Sequence, residues 1–317
     1  MKRRNARRAL TLSALSLAAL CLPMTASAAE GNAPAAPGGF VFRTVPAAPM
    51  VLPAPIELGG AANNNAPAFQ WTGLGRERVV RNVVRPQLFV VRPAAGQANG
   101  RAVLVVPGGG YQFVAIENEG MPVAQKLAAE GTTAFVLVYR VNPTPVPDDD
   151  FAAVINQEIA KRFAPGAPKV ADDLQPYAPA VADAKAAMVW LKAHAGEQGI
   201  DAQRIGYIGF SAGARTGRAL VSQASADEMP ATLALIYGGF YATQPRQPVP
   251  PLFLAQAADD ALFPPNSFDM VQNWRQAGQR VELHLYERGG HGFGAMAPRG
   301  NTSDGWMSAY LAWLARQ

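Results

Sequence analysis

The chain has 317 residues, enough for one large α/β domain or two small ones, and its 28 Lys and Arg against 23 Asp and Glu give a formal charge of +5. Five of those cations, Lys2, Arg3, Arg4, Arg7 and Arg8, precede an uncharged stretch rich in Leu and Ala from Ala9 to Leu22. Without them the chain carries 23 cations and 23 acids, which argues against nucleic acid or anionic lipid as a partner recognised by charge.

In chain order, the basic start, the apolar stretch and the small residues Ala26-Ser27-Ala28 read as a secretory signal peptide over residues 1–28. Arg7-Arg8 also fits a twin-arginine export route. The cut would remove Cys21, the only cysteine, so the exported chain would hold no disulfide and depend on a packed core. Lipid attachment at Cys21 is the rival reading, and the bulk of Leu20 argues against it. The stretch is shorter than the roughly 20 residues that span a bilayer, and nothing downstream matches a span. The expected destination is the periplasm or the medium of a bacterium.

Residues 29–75 are rich in Ala, Pro, Gly and Asn and read as a mostly extended lead-in to a catalytic domain over 76–317. There, short apolar runs read as strands at Val83–Val84, Leu88–Val91, Val103–Val106, Ala134–Val138, Ile205–Ile208, Leu233–Tyr237, Leu252–Ala255 and Val281–Tyr286. Amphipathic stretches of helical length lie at Met121–Ala129, Val181–Ala195, Ala212–Gln223, Ser267–Ala277 and Asp304–Arg316. Alternation of this kind gives a mainly parallel sheet covered on both faces. Residues 141–177 break it: prolines, the acids Asp148–Asp150 and a helix-like stretch around Phe151–Phe163 form an insertion, read as a surface excursion or a small lid.

Gly209-Phe210-Ser211-Ala212-Gly213 follows an apolar strand and opens a helix, the context of a nucleophile elbow that lifts a serine hydroxyl clear of the sheet. A serine needs a base. Of three histidines, His194 falls in a helix and His284 within a strand, whereas His291 sits in a glycine-flanked loop after the last strand. His291 is therefore the candidate base. The acid that orients it should follow a strand between the serine and the histidine, where Asp259 and Asp260 stand. Asp260 is preferred, with Asp259 the alternative. The oxyanion donors are expected from the backbone of Ala212 and from Gly109 and Gly110 in Pro107-Gly-Gly-Gly-Tyr111. Tyr111, Phe240 and Tyr241 are candidates for substrate contact. No histidine pair has a metal-ligand spacing, and neither metal nor cofactor is expected.

Several blocks together are similar to the acetyl xylan esterase-like branch of the α/β-hydrolases. They are Pro107–Tyr111, Glu119-Gly120, Tyr139-Arg140, Asp183-Ala184, Gly199–Asp201, Arg204-Ile205, Gly209–Gly213, Ala258–Asp260 and Tyr286–Gly294. The resemblance runs from about Arg101 to the C-terminus. It implies an α/β-hydrolase fold and a metal-independent serine esterase for short acyl groups, often acetyl esters of plant polysaccharides, and it favours Asp260 as the acid. Two positions depart from the pattern: Ala214-Arg215 replaces the usual glycine-histidine, and Gln256 replaces a histidine before the acid. Other readings to separate are a lipase or broad carboxylesterase, a peptidase of the prolyl oligopeptidase kind without its propeller, and an inactive hydrolase-fold binding protein.

Overall fold

Aliphatic strands buried along their whole length form the centre of the molecule; Ala102–Val106, for example, has no exposed residue. Strands of this kind suit a parallel sheet with both faces covered, where no alternation of polar residues is needed. The computed structural model describes residues 41–59, 67–164 and 175–317. The leader reading of residues 1–28, Cys21 included, and parts of the lead-in and insertion lie outside them.

The chain opens with β1 (Thr44–Val45), β2 (Pro55–Glu57), β3 (Gln70–Leu74), β4 (Glu77–Arg81), β5 (Gln87–Val91) and β6 (Ala102–Val106). A π-helical turn at Ile116–Gly120 leads into α1 (Met121–Ala129), then β7 (Thr133–Val138), α2 (Asp148–Phe163), α3 (Ala178–Ala193) and α4 (Ala195–Gln198). The second half alternates as β8 (Ile205–Phe210), α5 (Ala212–Gln223), β9 (Leu233–Ile236), β10 (Leu252–Ala257), α6 (Asp269–Gln276), β11 (Val281–Tyr286) and α7 (Trp306–Ala315).

The main sheet is eight-stranded in the order β11-β10-β9-β8-β6-β7-β5-β2. From β11 to β7 every neighbouring pair is parallel; β5 and β2 extend that edge with antiparallel pairings. After β6 the chain moves one way to β7 and then crosses back to place β8 on the other side. The carboxyl ends of β6 and β8 therefore flank the point where strand order reverses, the usual place for a ligand site in an open α/β sheet.

The helices start or end close to their sequence-predicted positions, and one strand does not. The expected strand at Val83–Val84 is replaced by β4, which ends at Arg81. Asn82 then adopts a left-handed φ of 51° and turns the chain, while its Oδ1 accepts the Thr144 N–H at 2.7 Å. Residues read as lead-in supply β2 at the sheet edge and β1 and β3, which join β4 in a separate antiparallel sheet.

Helix α2 carries Asp148, Asp149 and Asp150 in its first turn and Lys161 and Arg162 in its last, both signs matched to the helix dipole. Its start is pinned by Arg81, a fully buried side chain. The Arg81 guanidinium reaches Asp148 Oδ1 at 2.7 Å, Thr72 Oγ1 at 2.6 Å and the carbonyls of Pro145 and Val146, and stacks 4.6 Å over the Phe151 ring. Among the described residues no helix is long and apolar enough to cross a membrane.

Candidate active site

Ser211 joins β8 to α5 with φ 48° and ψ −110°, a conformation that L residues rarely take. The turn is tight enough to dictate its neighbours. A Cβ on Gly213 would fall 2.0 Å from the Val106 carbonyl oxygen, so a side chain there cannot be accommodated. The strained serine is held by its own backbone, with its N–H given to the Ile236 carbonyl at 3.0 Å.

The loop after β11 brings His291 to this serine. The separation of His291 Nε2 from Ser211 Oγ is 2.9 Å, and that of His291 Nδ1 from Asp260 Oδ2 is also 2.9 Å. The two aspartates divide clearly. Asp260 is buried and also accepts the N–H groups of Leu262 at 2.9 Å and Phe263 at 3.0 Å on Oδ1. Burial alone would raise its pKa, but the adjacent His291 and these hydrogen bonds outweigh it and hold the carboxyl below the usual aspartate range. Asp259 turns away and accepts the N–H groups of Gly289 at 3.0 Å and Gly290 at 2.7 Å, bracing the loop that carries the histidine. Gln256 gives Nε2–H to Asp260 Oδ2 at 2.7 Å and to the Phe263 carbonyl at 3.1 Å, so the departing residue fixes the acid.

Gly109 and Gly110 lie on the wall of the same cleft as Ser211 and His291. Gly109 has φ 124°, and a Cβ there would sit 2.0 Å from the Phe113 carbonyl oxygen. As the first residue of α5, Ala212 has an N–H without an intrahelical acceptor. The glycine loop is gripped from behind by Glu119, which accepts the Gly108 N–H on Oε2 and the Tyr237 hydroxyl at 2.8 Å on Oε1. Burial pushes the Glu119 carboxyl up, and these donors offset part of the shift. Tyr237, at φ 40°, also accepts the Gly294 N–H at 3.2 Å and lies edge-on to the His291 ring, 5.1 Å away. Glu119 and Tyr237 were not singled out individually from the sequence. Only the Glu119-Gly120 block marked the former, and the latter looks like the end of an ordinary strand.

The cleft holds about 340 Å³. Its apolar walls come from Phe113, Leu262 and Phe263, from Ile155 and Ile159 on α2, and from Phe42 in the N-terminal segment. Glu77 also faces it; burial first, then the charges of Glu119 and Glu117, push that carboxyl up to about 8. The three aromatic residues expected at the substrate are not part of this cleft's wall. Tyr111 is buried and gives its hydroxyl to the Ala212 carbonyl at 3.0 Å, Phe240 stacks on Phe268, and Tyr241 lies under the Arg218 guanidinium. His194 caps α3 and stacks on Trp190, and His284 stays in β11 beside Glu282.

A family model described as alpha/beta hydrolase fold matches residues 174–249, the segment that contains the serine turn. An acetylxylan esterase of Xylanibacter ruminicola is 25% identical over 234 residues, covering 62% of this chain and 42% of that protein. The chain thus spans less than half the length of that relative. Among solved structures, the acetyl ester-xyloside bifunctional hydrolase of Caldicellulosiruptor lactoaceticus superposes with a TM-score of 0.57 at 23% identity, over 84% of this chain and 97% of the other. The thermophilic esterase Est2 of Thermogutta terrifontis with propionate bound gives a TM-score of 0.53 at 22% identity, over 74% and 90%. Identities this low speak for the fold, and strand order, serine turn and family match all agree with it. The chain has the α/β-hydrolase fold.

Proposed function

We propose that the protein is an exported serine esterase that removes short acyl groups, acetyl above all, from a carbohydrate. The observation that carries the reading is the hydrogen-bonded series Ser211, His291 and Asp260, lying beside two sets of backbone amides. His291 Nε2 takes the proton from Ser211 Oγ as the oxygen attacks the ester carbonyl. Asp260 holds the imidazole with Nδ1 protonated and stabilises the imidazolium. The amides of Ala212, Gly109 and Gly110 bind the oxygen that gains charge in the tetrahedral intermediate. Collapse expels the alcohol, which leaves with the proton from His291. Water, deprotonated by the same histidine, then releases the acid and restores Ser211.

The acetyl and carbohydrate parts of this reading draw on the acetylxylan esterase of X. ruminicola, the bifunctional hydrolase of C. lactoaceticus and the sequence blocks common to that branch. Export draws on the basic and apolar opening of the chain. The apolar wall of Phe42, Phe113, Ile155 and Ile159 favours a second reading, a carboxylesterase that accepts longer acyl chains.

Acetate release from acetylated xylan, with Ser211→Ala as the blank, tests the reading. Release by the wild type alone supports both the nucleophile and the polymer substrate. Cleavage of a simple acetate ester without release from xylan would discard the polymer, and a rate that rises along an acyl-length series would favour the carboxylesterase. A Ser211→Ala protein that keeps a tenth of the activity would overturn the mechanism.

A further inference from the structure

Arg215 stands one helical turn after Ser211, and its N–H donates to the Ser211 carbonyl at 3.0 Å. Its side chain is only 7% exposed, lies 5.0 Å over the Tyr111 ring and lines the cleft that holds Ser211 and His291. One guanidinium nitrogen donates to the Gln175 carbonyl at 2.7 Å, while Nε has no hydrogen-bond partner among the described residues. Arg162, from α2, lines the same cleft, and Arg218 lies further along α5 over Tyr241, with Nε–H given to Thr243 Oγ1 at 3.2 Å. Among the described residues, no carboxylate forms an ion pair with any of the three. Burial pushes Arg218 down to about 10 and Arg215 adds to the shift; burial also lowers Arg215, with Arg162 acting in the same direction.

Three cations gathered in a partly dry site repel one another, and an anion placed among them relieves both the repulsion and the lost hydration. We propose that Arg215 and Arg162, backed by Arg218, bind a carboxylate carried by the substrate a few bonds from the ester carbonyl. The inference rests on the ester-hydrolase reading and narrows it from neutral acyl esters to those of an acidic molecule, such as an acylated uronic acid. The planar guanidinium fork suits a carboxylate. Glu77, Glu119 and Glu158 line the same cleft, so a singly charged group meets less repulsion there than a dianion such as phosphate.

Paired ligands of equal size test the charge on either side of the ester. Monomethyl succinate against methyl levulinate places it in the acyl part, and acetoxyacetate against acetoxyacetone places it in the alcohol part. Titrated into the Ser211→Ala protein, the acid of one pair should bind about tenfold or more tightly than its neutral partner, the size of a charge-assisted hydrogen bond. The preference should shrink with added salt and be lost in Arg215→Met and in Arg162→Met. Equal binding within both pairs by the unmutated cleft overturns the proposal, as does a preference that survives Arg215→Met. A preference that emerges only when Asp172 and Asp173 are both changed to asparagine also overturns it, because the guanidinium would then already have its anion within the chain. If wild-type protein hydrolyses neither partner while the acid still binds preferentially, the hydrolase reading fails and the carboxylate site stands.

Discussion

Asn156 holds the backbone of Phe42 with both ends of its amide: Nδ2 donates to the Phe42 carbonyl at 2.8 Å, and Oδ1 accepts the Phe42 N–H at 2.8 Å. The two residues lie far apart in the chain, and the clasp seats Phe42 on the cleft beside Phe113, whose ring packs edge-on against Phe151 of α2. Asn156→Leu removes both bonds and strands two backbone groups. We expect faster amide exchange in α2 and around Phe42 and a raised KM with kcat changed less, since the clasp touches no reacting atom. Exchange measured by mass spectrometry that stays at the wild-type rate would refute the clasp.

Arg81 is the opposite case, a buried charge that anchors the start of α2 through Asp148 and two carbonyls. Arg81→Met removes the ion pair to Asp148 and leaves the Pro145 carbonyl without its donor, while Gln70 Nε2 still reaches the Val146 carbonyl and Thr72 Oγ1 still reaches Asp148. Asp148 stays partly solvated, so the cost should be about 1–3 kcal/mol, read as a lower midpoint in denaturant at unchanged slope. A loss below about 1 kcal/mol would mean that the helix start holds without it.

The two aspartates separate in a pair of substitutions. Asp260→Asn should lower kcat by roughly 10⁴, because the histidine loses both its orientation and its counter-charge. Asp259→Asn keeps a neutral Oδ1 acceptor for the two amides of the histidine loop and removes only the charge, so its effect should be far smaller, with at most a slightly lower Tm. A larger rate loss at Asp259 would reassign the acid.

Two acids give opposite pH signatures. The Asp260 carboxyl is held below its unfolded range, so its contribution to stability is full above the unfolded aspartate pKa and is lost as pH falls through the lower folded value. Glu77 is pushed up to about 8 from 4.5, so it costs nothing below the unfolded value and becomes destabilising as pH rises across that interval. Glu77→Gln should therefore raise Tm at pH 8 and leave it nearly unchanged at pH 4.5, with a gain of about 1–3 kcal/mol once solvent screening is allowed for. Melting curves at the two pH values check this; an equal gain at both would rule out the titration.

The residues that the chain itself advertises are those with a local reason to be unusual. The serine turn requires Gly209 and Gly213, the histidine loop requires flanking glycines, and the parallel strands need unbroken aliphatic runs, so each leaves a mark a few residues long. The mainly parallel sheet follows from that alternation, whereas its strand order does not. Phe42, Glu77 and Asn156 leave no such mark, because their roles depend on partners brought close only by the fold, and Glu119 is marked only by the block it forms with Gly120. The displaced strand beside Val83–Val84 has the same origin. Val79-Val80 and Val83-Val84 look alike locally, and Asn82 turns the chain between them only because Thr144 completes its hydrogen bonds. Tyr111 and Phe240 are buried, and their packing partners likewise depend on the fold rather than on a local pattern.

The construction of the cleft has a consequence for how this protein can diversify. Serine, histidine and aspartate sit on turns anchored to the sheet, whereas Phe42 comes from the segment before β1, and Ile155, Ile159 and Arg162 come from α2, an extra helix within the connection from β7 to β8. Replacing those segments would reshape what the cleft admits without moving Ser211, His291 or Asp260. Because Asn156 clasps the Phe42 backbone, α2 and the segment around Phe42 would have to be exchanged together.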